Sequence, residues 1–116
     1  MAREVTWGKS ALEDLHQAAL YIARDSQHYA QALIDKASAA AESLLDFPQV
    51  GRRVPQLHDE SLREFFVQNH RLIYAVGPEA IHVLAFVHGG RDLEALWERE
   101  GSSRRSEDDS DPGTVE

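Results

Sequence analysis

Hydrophobic positions in this chain follow two different periods. From Leu12 to Ile22 they recur at three- and four-residue spacing (Leu12, Leu15, Ala19, Ile22), the single apolar stripe of a helix lying on a core. Ser10 followed by Glu13 has the pattern of a capping box at its start. Asp25–Ser26 then offers a turn and a fresh N-cap, and a second stripe follows: Ala30, Leu33, Ile34, Ala37, Ala41, Leu44 and Leu45. It predicts a helix from Gln27 to Asp46, ended at Phe47–Pro48 because the residue before proline is pushed out of the α region. So short a connection makes the two helices an antiparallel hairpin.

The remaining apolar segments are short and rich in strand formers. REVTW, Arg3 to Trp7, reads as a first strand broken by Gly8. After the loop FPQVGRRVPQLHDES come strands at Arg63–Val67, His70–Val76 and Ala80–His88, the last two joined through Gly77–Pro78–Glu79. Gly89–Gly90 stops the last strand, and Asp92 is placed to cap a short closing helix through Glu100. Strand, helix, helix and three strands predict an α+β domain over 1–100, with the hairpin on one face of a small antiparallel sheet. The tail from Gly101, GSSRRSEDDSDPGTVE, is polar and acidic with one aliphatic residue, and reads as disordered. Trp7, Phe47, Phe65, Tyr74 and Phe86 are the expected aromatic core.

Charge narrows the choice of partner. The net −8 is unevenly spread: residues 1–51 carry seven acids against four bases, and 92–116 carry nine against three. Residues 52–91 hold five arginines against four acids, so any phosphate chemistry has to be local to that segment. Cysteine is absent, which excludes disulfides and thiolate metal sites and fits a reducing cytoplasm. No apolar run approaches the roughly 20 residues that span a bilayer, so no membrane role is expected.

Candidate chemistry gathers in REFFVQNHRLIYAVGPEAIHVLAFVHGGR, where His70, Arg71, His82, His88 and Arg91 punctuate the apolar runs. Such groups cost free energy beside a core unless paired or solvated, so they are either ordinary solvated strand residues or a surface for an anion. Whether Arg71 and His88 share a sheet face depends on the turn. Pairing Val76 with Ala80 separates them, and pairing Gly77 with Ala80 unites them. Arg52–Arg53 is either a solvated pair or a contact for an acidic partner. No histidine–carboxylate spacing suits a metal, no glycine-rich phosphate loop is present, and no cofactor is expected.

Taken in order, VTWGKSALEDL, YIARDS, FPQVGRRVP, REFFV, HRLIYAV and VLAFVHGGRDL resemble the RelE/ParE superfamily of bacterial type II toxins. The resemblance implies the same fold, a cytoplasmic location and a cognate antitoxin as partner. It also implies one of two activities, cleavage of messenger RNA in the ribosome or poisoning of DNA gyrase without nuclease activity, or else an inactive relic that only binds its antitoxin. The nuclease branch needs a base for the attacking 2′-hydroxyl, cations for the phosphorane and an acid for the leaving oxygen. Arg71 and Arg91 match its two arginine positions, and His88 could supply the acid or base. Against this, Trp97 stands where those nucleases usually have tyrosine, and their lysines before the RLxY strand are missing from Leu62–Arg63–Glu64. Tryptophan stacks on a base but relays no proton. REFFV, HGGRDL and the acidic balance look more like the gyrase-poisoning branch, with DNA gyrase as target and the ribosome with its message as the alternative. Arg71 and Arg91 then read as ion-pair anchors, with Asp59, Glu60, Glu64 and Asp92 available. Arg52, Arg53 and Trp97 are the expected target or partner contacts.

Overall fold

Gly8 is where the first strand becomes the first helix. Its N–H donates to Val83 O at 2.9 Å, extending the pairing of β1 (Glu4–Trp7) with β5 (Ala80–His88), and its carbonyl accepts from Leu12 N at 2.9 Å. Helix α1 (Lys9–Ala23) therefore starts one residue before the expected capping box, with Gly8 at the N-cap and Ser10 inside the first turn. Helix α2 (Gln27–Ser43) begins as its sequence predicts, with Ser26 Oγ accepting from Tyr29 N at 3.1 Å. Its end differs: Leu44, Leu45 and Asp46 close with tighter i→i−3 bonds before Pro48. The computed structural model describes residues 3–54, 57 and 59–89. Arg91, Asp92, Trp97, the expected closing helix and the acidic tail lie outside them.

The chain is α+β, with the hairpin on one face of a five-stranded sheet of order β1-β5-β4-β3-β2. Strands β3 (Leu62–Val67), β4 (His70–Val76) and β5 form the expected antiparallel meander, while β1 pairs parallel with β5. Residues Arg52–Arg53, expected in a loop, form a two-residue edge strand β2 against β3. Under the helices the core joins Ala11, Leu15, Leu33, Ala37, Ala41 and Leu44 to Val67, Leu72, Tyr74, Ile81, Val83 and Phe86. The opposite face carries a second cluster, Val54, Leu62, Ile73, Ala85 and Val87.

Three expected core residues lie outside: Leu12, Phe47 and, at the end of the second stripe, Leu45, which is 37% exposed. Leu12 is half exposed, because Ala11 takes the position against the sheet and lets the helix approach closely. Phe47 is 66% exposed. The loop that follows it is held by the backbone instead: Tyr74, fully buried, donates its hydroxyl to Pro48 O and accepts from Gly51 N, both at 2.9 Å. A side chain at Gly51 would sit 2.7 Å from that hydroxyl and 2.8 Å from Glu64 O, so the close approach requires glycine. Arg63 adds a bond to Gly51 O at 2.7 Å. Desolvation by burial pushes the Tyr74 phenol above its ordinary pKa of 10.0, keeping it neutral as both donor and acceptor.

Candidate functional site

Strand alternation places Arg52, Glu64 and Arg71 on the sheet face away from the helices. Arg52 lies opposite Glu64 across β2–β3, and Arg71 opposite Phe66, one diagonal step from Glu64. Glu64 has no exposed surface, a position a carboxylate holds only with cations in reach. Arg52 donates from Nε to Glu64 Oε2 at 3.0 Å and brings Nη2 within 3.0 Å of the same oxygen. Arg71 Nη1 stands 3.4 Å from Oε1, an ion-pair contact without hydrogen-bond geometry. Two arginines thus share one carboxylate, one 67% exposed and the other 13%. Arg71 Nε has no hydrogen-bond acceptor. Of the four acids expected as possible partners for Arg71, Glu64 is the one it meets among the described residues. Arg53 pairs at the surface with Glu60, at 3.1 Å.

His88 is not brought to Arg71. The turn closes with Gly77 N donating to Ala80 O at 2.9 Å, the arrangement expected to unite them. A bulge then intervenes: Tyr74 pairs with Val83 but Ile73 with Ala85, so Leu84 is an extra residue in β5. Beyond it Arg71 faces Val87, and His88 pairs with His70 on the helix side of the sheet. The two histidine rings meet edge to face at 5.5 Å, and His70 stacks on Phe86 at 4.8 Å and 5°. Burial, and secondarily the charge of His88, push the His70 pKa below 6.5. Past the end of β1, the N–H of Phe86 donates to Asp14 Oδ2 of α1 at 3.2 Å. His82 binds Thr6 Oγ1 at 2.9 Å on the parallel β1–β5 pair, also away from Arg71.

Sequence periodicity gave no warning of the apolar surface on the helical hairpin. A groove of about 210 Å³ runs between α1 and α2, lined by His16, Ala19, Leu20, Ala23, Gln27 and Ile34 among others. Leu20 is 61% exposed there, and near the hairpin turn Tyr21 and Tyr29 are exposed as well. Arg24 lies 5.4 Å over the Tyr21 ring. The residues Leu20 and Ala23 that form the groove in α1 are apolar positions lying off the stripe expected to be buried. Among the described residues no group of three or more His, Asp or Glu is placed to hold a metal, and no helix is long and apolar enough to cross a membrane.

The sequence matches the family described as the ParE toxin of the type II toxin–antitoxin system, parDE, over residues 5–93. Its fold is similar to that in the chromosomal ParDE TA system from P. aeruginosa, with a TM-score of 0.62 at 14% identity, covering 75% of this chain and 96% of that one. It is also similar to the toxin–antitoxin complex RelBE2 from Mycobacterium tuberculosis, with a TM-score of 0.50 at 18% identity, covering 76% and 99%. No curated protein matches it. At such identities the structural likeness speaks for the fold.

Proposed function

The chain belongs to the ParE toxin family of type II toxin–antitoxin systems, and from that premise we propose a cytoplasmic, growth-inhibiting toxin, silenced by a cognate antitoxin, that acts on DNA gyrase and cuts no RNA. The observation that carries the choice of target is the placement of Arg71. A phosphate clamp needs a cation free to meet developing charge, with an acid or base beside it. Arg71 is mostly buried, shares Glu64 with Arg52, and lies on the opposite face from His88. That arrangement suits an anchor holding β4 to β3 and β2, not an RNA-cleaving centre. The exposed groove of the hairpin supports the antitoxin part of the reading, since an amphipathic helix lays its apolar face into such a groove.

The test compares two purified assays. Inhibition of gyrase supercoiling, with translating messages left intact, is the expected result. Codon-positioned cleavage on ribosomes with supercoiling unaffected would overturn the assignment. Co-expression with a small protein encoded in the adjacent reading frame, the expected antitoxin, should yield a stable complex and relieve growth arrest.

A further inference from the structure

Positive charge on the described domain is concentrated at one corner. Arg52 and Arg71 on the face away from the helices, and Arg53 and Arg63 on the other face, lie on neighbouring strands at that corner, and among the described residues only Glu60 and Glu64 are paired with them. One carboxylate serves both Arg52 and Arg71, so that trio keeps a net positive charge. The Arg53–Glu60 pair is 61% and 83% exposed, the kind of surface pair that exchanges partners at little cost. Strand β2 is also the sheet's edge, with β3 on one side alone. The helices offer no rival site, since residues 1–51 carry seven acids against four bases.

The same chain supplies a complementary segment. The family match ends at residue 93, and the two similar structures are covered at 96% and 99% by about three quarters of this chain. Residues 94–116 therefore extend past the part this chain shares with its family. Within them Glu107, Asp108, Asp109 and Asp111 form an acidic run uninterrupted by a base. We propose that this run docks in cis on the arginine corner of β2, shielding the edge from acidic or anionic partners. Each exposed pair contributes little alone, but a tethered segment acts at a high effective concentration. The interaction is electrostatic, so salt weakens it. It does not depend on whether gyrase is the target.

The full chain carries the test, and the absence of cysteine makes it clean. Ser110→Cys gives a single attachment point for a nitroxide, and its broadening of backbone amide signals is read across the domain. At low salt, broadening should concentrate at Gly51–Val54 and Leu62–Glu64. It should fade in about 1 M salt, where the screening length is about 3 Å. It should also be lost in Arg52→Gln/Arg53→Gln, and again in Glu107→Gln/Asp108→Asn/Asp109→Asn/Asp111→Asn. The second variant leaves the strands untouched and decides the matter if the first fails to fold. Broadening spread evenly, centred on the hairpin around Tyr21–Tyr29, or unchanged in the variants would overturn the proposal.

Discussion

A carboxylate without exposed surface depends on its cations, and Glu64 has two of very different standing. Breaking a buried pair leaves a charge uncompensated at a cost of about 3–5 kcal/mol. Glu64→Ala and Arg71→Ala should therefore lower stability by roughly that amount in urea denaturation, whereas Arg52→Ala, mostly solvated, should cost less than about 1 kcal/mol. Arg71→Lys keeps the charge and should recover only part of the loss if the planar fork matters. His70 sets a pH dependence. Its folded pKa lies below 6.5, so the unfolded chain takes up the proton first. The stability it contributes is complete above about pH 6.5 and is lost as pH falls from there to the lowered folded value. His70→Gln should flatten that slope in stability-versus-pH curves. At this scale the sequence offered Arg71 as an anchor but could not choose among four acids, because a diagonal contact depends on register. Phe47 was misread because the Tyr74 hydroxyl draws the backbone of Pro48 and Gly51 inward and leaves the ring outside.

Elements with a sustained period were legible: both helices and the three meander strands match their hydrophobic patterns closely. Strand β2 was not, since two residues carry no period and its existence rests on partners ten or more positions away. Nor does a sequence show that β1 runs parallel to β5, a pairing made across the whole domain. The β3–β4 connection is a two-residue turn with Gln68 at φ 57°, a left-handed conformation that a β-carbon disfavours. Gln68→Gly should relieve it and stabilise the domain by up to about 1 kcal/mol, seen as a rise of several degrees in melting temperature.

For the whole molecule, the hairpin groove and the arginine corner are separate surfaces, so changes at one should spare the other. Leu20→Glu is expected to weaken antitoxin binding at least about tenfold by calorimetry, equivalent to roughly 1.4 kcal/mol, while leaving the melting temperature nearly unchanged because Leu20 is already exposed. An unaltered affinity would move the antitoxin elsewhere. Leu84 matters to the molecule beyond its own strand. Before it, the odd-numbered residues Ile81 and Val83 look toward the helices; after it, the even-numbered Phe86 does, and the odd-numbered Ala85 and Val87 look away. One residue thus inverts the parity of β5 midway along its length. The same side chains in an unbroken register would set His88 on the face of Arg71, so one extra residue separates two chemically different surfaces that composition cannot tell apart.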